Sequence, residues 1–217
     1  MSEIICNQKR YHLENIYCIG RNYSEHIKEL NHTPDDEIVV FTKPNTSIHF
    51  EEIPVQLPSF SNNIHYECEI VILIGEDILE APIKNPLKYI AGYALGIDMT
   101  ARDIQKIEIE KGLPWLKSKG FKQSALISKF ISPEKISNPN NIYFELSLNQ
   151  KTVQVGESCH MIYSIPTIIQ SIHKIYGLKK GDIIYTGTPK GVGQLHSNDI
   201  LELNLEKGLL KATFTIA

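Results

Sequence analysis

Short apolar and alternating segments, separated by glycine, proline and asparagine, dominate the pattern along the chain. Segments of this kind are typical of β-strands. They predict strands over residues 15–19, 90–97 and 183–186, a hairpin over residues 144–155 and two further strands after Asp199. The pattern therefore indicates a protein in which strands outnumber helices.

Two short segments show helical spacing close to a polar residue that can cap a helix. Ser24 is a candidate cap for a helix over residues 25–30. Thr100 and Asp103 are candidates for the start of a second helix, which continues to Lys111 before a glycine.

A third helix is predicted over residues 166–176, where isoleucines recur at helical spacing. Those on its apolar side are Ile168, Ile169, Ile172 and Ile175. With no internal repeat and no linker, the elements predict an α+β, strand-rich fold. We expect one domain over residues 1–217, with a short strand segment at about 1–15 packed on it.

Composition narrows the class of protein. Lys and Arg together number 22 and Asp and Glu 25, a net charge of −3, which argues against binding nucleic acid through its phosphates. The four cysteines are widely spaced, which favours reduced thiols. The longest apolar run, residues 70–74, is too short to cross a bilayer. We therefore expect a cytoplasmic protein with neither a nucleic-acid nor a membrane partner.

The apolar segment over residues 66–74 contains two acids. Because side chains alternate along a strand, Glu67 and Glu69 point to the same side as Val71 and Leu73. Two carboxylates on an apolar face repel each other and lose hydration. A bound cation would offset both effects. The alternative is a strand end at which both acids reach solvent.

Asp98 follows the strand predicted over residues 90–97, a position from which a side chain can face a cleft. The alternative is a carboxylate that caps the next helix. With Glu67 and Glu69 it would form a site of three carboxylates. Such oxygen ligands favour Mg²⁺, Mn²⁺ or Ca²⁺ over Zn²⁺. Because the chain lacks the Asp- and Asn-rich loop of common calcium modules, Mg²⁺ is the leading candidate.

His26 and Glu29 are three residues apart on the first predicted helix and so share a face. A carboxylate beside an imidazole orients the ring and raises its basicity, as a water-activating general base requires. The alternative is a solvated helix surface, because Glu25 and Lys28 stand beside the pair.

Residues 186–193 form a glycine-rich segment, Thr-Gly-Thr-Pro-Lys-Gly-Val-Gly. The segment lacks the Gly-Lys-Ser/Thr ending of a phosphate-binding loop, and no helical pattern obviously follows it. Its backbone N–H groups and the Thr188 hydroxyl can still hydrogen-bond a carboxylate.

Several motifs occur in order over nearly the whole chain. The two most specific are residues 98–105 (Asp-Met-Thr-Ala-Arg-Asp-Ile-Gln) and 187–193. The others are residues 20–23 with His26 and Glu29, 43–44, 65–69, 92–97, 112–115 leading to Lys119, 161–162 and 181–182. The set resembles the fumarylacetoacetate hydrolase family, in particular its short acylpyruvate hydrolase branch.

The resemblance implies a mixed β-roll or β-sandwich-like fold with a few peripheral helices, usually paired as a homodimer. It also implies that Glu67, Glu69 and Asp98 bind Mg²⁺ or Mn²⁺.

The remaining site residues follow from the same resemblance. His26 and Glu29 fall on the dyad that activates water, on a segment that becomes ordered as a lid, and Lys119 falls on the active-site lysine. Positions in or near the substrate site are occupied by Arg21, Lys43, Arg102, Gln105 and Thr188.

The implied activity is metal-dependent hydrolysis of a C–C bond in a 2,4-dioxo acid of the acylpyruvate or fumarylpyruvate type. His26 would deprotonate water, and Mg²⁺ with Lys119 would stabilise the pyruvate enolate that leaves. The same enolate arises when oxaloacetate loses CO₂. The same metal and a base would also isomerise or tautomerise an oxo acid. These activities stay open as alternatives, as does a 2-oxo acid binding protein without turnover.

Overall fold

The computed structural model describes residues 3–29 and 37–217, apart from the side chains of Ile27 and Lys28. Its strands are β1 (Glu3–Cys6), β2 (Lys9–His12), β3 (Ile16–Gly20), β4 (Val39–Lys43), β5 (Ile48–Phe50), β6 (Ile64–Tyr66), β7 (Cys68–Ile74), β8 (Ile90–Asp98), β9 (Thr100–Ala101), β10 (Ala125–Ile127), β11 (Tyr143–Leu148), β12 (Lys151–Glu157), β13 (Ile183–Tyr185), β14 (Gly193–Gln194), β15 (Ile200–Leu205) and β16 (Leu210–Thr215). Its α-helices are α1 (Ser24–Glu29), α2 (Arg102–Glu110), α3 (Leu116–Lys119) and α4 (Ile165–Tyr176).

The strand predictions are confirmed to within one or two residues at each end. β3 and β8 are the strands expected over residues 15–19 and 90–97, and β13 is the one expected over residues 183–186. The predicted hairpin over 144–155 is the β11–β12 pair, and β15 and β16 are the two strands expected after Asp199.

The capping prediction for the second helix is wrong. Thr100 lies in β9, which pairs with β6, so the chain is still extended there and α2 begins only at Arg102. Asp103 lies within the first turn of the helix and accepts hydrogen bonds from Ser61 Oγ (2.6 Å) and from its neighbour's backbone. The first predicted helix is present as α1, while the last residue of that prediction, Leu30, lies outside the described residues.

A sheet of seven strands, in the order β4-β3-β13-β7-β8-β10-β5, forms the centre of the fold. It is mixed, because β13 runs parallel to β3 and β10 parallel to β5, while the other pairs are antiparallel. Every residue of β7 is buried, since both faces of this central strand are covered. Ile70 and Ile72 belong to one hydrophobic cluster, and Val71 and Leu73 belong to the other.

The larger cluster is closed by a second, antiparallel sheet in the order β12-β11-β15-β16. Leucines alternate along β15 so that its inner face packs on that cluster. Helix α4 adds Ile168, Ile169 and Ile172, but Ile175, expected on the same face, is 65% exposed. The helix ends at Tyr176, one residue after Ile175, and Gly177 terminates it. Its last turn therefore extends past the core.

The first residues form a hairpin, β1–β2, on the opposite face of the central sheet. Ile4, Cys6 and Tyr11 are buried there together with Val71 and Leu73. None of the four cysteines forms a disulfide. Among the helices of the described residues, none combines the length and apolar character that a membrane crossing requires. The strand-rich α+β fold class is confirmed.

We expect two alanine substitutions in α4 to differ sharply. Ile172→Ala removes a fully buried side chain and should lower the free energy of unfolding by about 2–5 kcal/mol. Ile175→Ala removes an exposed side chain and should change it by less than about 0.5 kcal/mol. Urea unfolding measures both. Equal losses would mean that Ile175 is covered in solution.

Candidate active site

Three acids converge at the end of the β7–β8 pair. Glu67 directly precedes β7, Glu69 lies within it and Asp98 ends β8. The backbone N–H of Asp98 donates to the carbonyl of Glu67 (2.8 Å), which places the two chains side by side. One carboxylate oxygen from each acid lies within 4.8 Å of the others, and all three side chains are buried. The geometry excludes the solvent-exposed strand end.

Three cations balance these acids. Lys119 Nζ lies 2.8 Å from Glu67 Oε2 and 2.6 Å from Asp98 Oδ2. Lys43 Nζ lies 2.7 Å from Asp98 Oδ1, and Arg102 pairs with Glu67 Oε1. Because uncompensated buried charge is strongly unfavourable, these pairs are a condition for folding around the acids.

The two glutamates differ in their pKa values because their partners differ. Burial alone would raise the pKa of Glu67, but Lys119 and Arg102 hold it well below its ordinary value. Glu69 has no comparable cation, so burial and the charges of Asp98 and Glu67 raise its pKa well above the ordinary value. Its main hydrogen-bond donor is the backbone N–H of Gly187, at 2.7 Å. Of the two glutamates, Glu69 is therefore the one that more readily carries a proton.

Lys119 is held in its charged form. Burial by itself would lower the pKa of its ammonium, but Asp98 and Glu67 raise it above the ordinary value. The side chain also lies against the Phe41 ring, with Nζ 5.0 Å from the ring centroid. It is the last residue of the short helix α3, which Ser118 ties to α2 through a hydrogen bond to Glu108. A fixed ammonium of this kind stabilises negative charge and cannot act as a base at neutral pH.

His26 and Glu29 form the expected pair on α1. His26 Nδ1 lies 3.2 Å from Glu29 Oε2, and the imidazole is buried although the helix is short. Glu29 also accepts from the backbone N–H of Gly191, at 3.0 and 3.2 Å. Gly191 has φ +98°, and a Cβ there would lie 2.1 Å from the Val153 carbonyl, so the residue type is required. The interpretation as a solvated helix surface is thus wrong for His26.

The acids, His26 and Lys119 line one cavity of about 30 Å³. Its wall also contains an aromatic corner in which Arg21 lies 5.9 Å from the Trp115 ring centroid and the Trp115 and Phe41 rings meet edge to face. Arg102, Gln105 and Thr188, all expected at the substrate site, line the same cavity.

Arg102, Gln105 and Thr188, which are expected to contact the substrate, all form hydrogen bonds within the protein. Arg102 Nη1 donates to Gln105 Oε1 (2.6 Å), which leaves the amide nitrogen of Gln105 as its available donor. The Thr188 hydroxyl donates to the Cys68 carbonyl (2.8 Å) and accepts from Gln154 (2.9 Å). Thr188 is therefore bound to the metal-site strand, and its hydroxyl hydrogen is not directed at a ligand.

Lys43 is not part of the cavity wall. Its ammonium lies behind Asp98 and donates to the Lys119 carbonyl and to Ser124 Oγ (3.2 Å). The side chain is completely buried, so the structure places Lys43 beside Asp98 and outside the cavity lining.

Trp115, Phe41 and Gln154 also shape this site. In the sequence, Trp115 lies within the motif over residues 112–115 and Gln154 within the predicted hairpin, and neither Phe41 nor Gln154 belongs to a motif. The residue types alone do not identify these three positions as part of a site. For Gln154, the one indication is that a polar residue occupies an inward-facing position of its strand.

The donor set suits a divalent cation. Asp98 Oδ1 is buried and, despite its proximity to Lys43, receives no hydrogen bond of normal geometry. Oxygens at the observed separation need to move only slightly to surround one hard cation. Glu67, Glu69 and Asp98 would hold it, with Lys119 adjacent.

We expect cation binding to release a proton from Glu69. Because burial raises the pKa of Glu69, lowering the pH towards that pKa should protonate the carboxyl and weaken Mn²⁺ binding, while raising the pH should strengthen it. Calorimetry in buffers of different ionisation enthalpy measures the released proton. In Glu69→Gln, binding should be weaker and the proton release should disappear. Unchanged release in this variant would place the proton elsewhere.

Comparisons with known proteins agree with this geometry. A family model described as "Fumarylacetoacetate (FAA) hydrolase C-terminal" matches residues 15–215. The human protein "Oxaloacetate tautomerase FAHD1, mitochondrial" is 41% identical over 94% of this chain and 91% of its own length. "Oxaloacetate decarboxylase, mitochondrial" of Dictyostelium discoideum is 38% identical over 88% of both.

A solved structure shares the whole fold. Fumarylpyruvate hydrolase from Pseudomonas aeruginosa, crystallised with Mn²⁺ and pyruvate, superposes with a TM-score of 0.93 at 27% identity and covers 100% of this chain and 95% of its own. The match of the family model over nearly the full length, joined to relatives above 30% identity, shows that the chain belongs to the fumarylacetoacetate hydrolase family.

Proposed function

We propose that this protein is a Mg²⁺- or Mn²⁺-dependent enzyme that interconverts the keto and enol forms of oxaloacetate. The observation that carries the proposal is one small cavity lined by the acids, Lys119 and His26, whose imidazole lies 3.2 Å from Glu29. The human relative, named for this activity, supports the oxaloacetate alternative over the hydrolysis expected first.

When bound, the cation would supply Lewis acidity for the reaction, and Glu67, Glu69 and Asp98 would hold it. The oxygen-only donor set supports Mg²⁺ or Mn²⁺, and the Pseudomonas hydrolase contains Mn²⁺. The protein's own contribution is to keep three acids together in a buried site, where Lys119, Lys43 and Arg102 compensate their charge.

His26 is the proposed base. With Nδ1 held by Glu29, its other ring nitrogen, Nε2, faces the cavity. It takes a proton from C3 of oxaloacetate, and the electron pair of that C–H bond forms the C2–C3 double bond. The 2-oxo oxygen then gains one proton, so the net change moves a single proton from carbon to oxygen. The reverse sequence restores the keto form.

Lys119 and Arg21 are the proposed binding partners for the negative charges of the substrate. The Lys119 ammonium lies beside two of the acids and stabilises charge that develops on the 2-oxo oxygen. Oxaloacetate carries a second carboxylate, for which Arg21 in the cavity wall is the proposed partner. Gln105 offers its amide nitrogen to the same end of the substrate.

Hydrolysis of an acylpyruvate is the second candidate, and the His26–Glu29 geometry favours it, since the same base can activate water. The Pseudomonas structure is named for such a reaction. Decarboxylation of oxaloacetate is the third, supported by the name of the Dictyostelium relative. The homodimer and the cytoplasmic location stay predictions, and the human relative carries a mitochondrial name.

The deciding experiment compares three reactions with Mg²⁺ and with EDTA. Keto–enol exchange is followed by the ultraviolet absorbance of the enol form of oxaloacetate. Decarboxylation is followed by pyruvate formation with a coupled dehydrogenase, and hydrolysis is followed by the consumption of acetylpyruvate. We expect Mg²⁺-dependent keto–enol exchange to exceed both pyruvate formation and acetylpyruvate cleavage. Faster pyruvate formation from oxaloacetate would make the protein a decarboxylase, and faster acetylpyruvate cleavage a hydrolase.

His26→Gln should lower turnover by about 10²–10⁴-fold, the usual range for a lost general base. Mn²⁺ binding should be retained, because the hydrogen bond of His26 is to Glu29 and the three acids that would hold the cation are unchanged. The matched control is His196→Gln, at a side chain that is 70% exposed and far along the chain from the site. Turnover of His26→Gln within a few-fold of the unmodified protein would remove His26 from the reaction.

A further inference from the structure

The strand that carries the metal acids loses its neighbour just before it reaches them. β13 pairs with β7 at residues 71–73, and Thr186 N–H then donates to the Ile70 carbonyl (3.1 Å). At Gly187, with φ +101°, the chain turns away. In an antiparallel pair, the backbone N–H and carbonyl of every second residue point to the same neighbouring strand. Those of Cys68, like those of Ile70, therefore point to the side of β13, which no longer runs beside β7 at this level. The backbone N–H and carbonyl of Cys68 would be buried without partners.

Gln154 replaces the missing strand. The Cys68 N–H donates to Gln154 Oε1 (2.9 Å), and Gln154 Nε2 donates to Thr188 Oγ1 and to the Pro189 carbonyl, each at 2.9 Å. Thr188 Oγ1 in turn donates to the Cys68 carbonyl (2.8 Å). One amide and one hydroxyl thus satisfy both backbone groups of Cys68. Cys68 is the residue between Glu67 and Glu69.

The position of Gln154 is itself specified by the fold. It lies in β12, which belongs to the other large sheet, and it is only 1% exposed. The register of β11 and β12 shifts beside it, so that Val153 is an extra residue without a partner. A β-bulge of this kind redirects the neighbouring side chain. The second sheet thereby reaches across to the metal-site strand.

We propose that Gln154 is a positioning residue that sets the separation and direction of the Glu67 and Glu69 carboxylates for a divalent cation. The inference rests on the cation site of the proposed function and not on the identity of the substrate. Gln154 touches neither the acids nor the cavity, so it acts through Cys68 and Thr188. Partners that orient metal ligands in this indirect way typically change metal affinity by about 10–100-fold when removed.

The test substitutes Gln154 by methionine, which keeps the size of the side chain and removes its donors and acceptor. Mn²⁺ binding is measured by electron paramagnetic resonance and calorimetry without substrate. We expect Gln154→Met to raise the Kd for Mn²⁺ by about 10–100-fold. Thr188→Val breaks the same network from its other end, and its effect should be non-additive with that of Gln154→Met.

Ser158→Ala is the matched control for stability. Ser158 directly follows β12 and lies outside the cavity wall. Its Oγ accepts from the Ile142 N–H (2.8 Å), so this variant also leaves a buried backbone N–H unpaired. It should lower Tm but leave the Kd for Mn²⁺ unchanged. A Kd within about two-fold of the unmodified protein in both Gln154→Met and Thr188→Val would overturn the proposal, and so would an equal loss in Ser158→Ala.

Two outcomes separate this proposal from the substrate assignment. If Gln154→Met does not fold, Thr188→Val alone carries the test, because it removes only one hydroxyl group of the network. If the unmodified protein binds Mn²⁺ but does not act on oxaloacetate, only the substrate assignment fails, and the expected difference in Kd between Gln154→Met and Ser158→Ala still stands.

Discussion

The arrangement of three buried carboxylates against two buried lysines and a partly buried arginine governs the rest of this structure. Glu67, Glu69 and Asp98 repel one another, and burial withdraws water from each of them. Lys119 and Lys43 approach Asp98 from different elements, α3 and β4. Arg102 reaches Glu67 from α2. The packing of α2, α3 and β4 thus brings the three cations next to the acids and compensates their charge.

The unequal distribution of the cations between Glu67 and Glu69 also determines the chemistry that the site can perform. Lys119 and Arg102 both contact Glu67, whereas Glu69 receives a backbone N–H, so the two glutamates have pKa values shifted in opposite directions. Lys119 remains charged beside the place where a cation fits. Positive charge thus faces the position at which an oxo acid would gain negative charge. Stabilisation of an enolate is the common step of tautomerisation, decarboxylation and C–C hydrolysis, which explains how one fold family includes all three names.

Local patterns predicted what depends on local physics. The buried strand β8 follows from a short apolar run, and the buried face of α4 follows from isoleucines at helical spacing. The failures have specific causes. Thr100 cannot cap α2 because strand pairing with β6 keeps it extended. Ile175 has the right spacing, but the core ends before the last turn of the helix reaches it. Neither cause is visible within the segment itself.

By itself, the sequence determined the set of acids, the His26–Glu29 pair, the main strands and, through resemblance, the family. These depend on residue type and short spacing, which a single chain segment carries. Only the tertiary structure decided that Lys43 lies beside Asp98 and outside the cavity lining, and that Thr188 and Gln154 satisfy the backbone of Cys68. Such contacts join residues far apart in the chain, and burial makes each unpartnered polar group costly. The partners were therefore selected by the packing of two sheets, which no local pattern records.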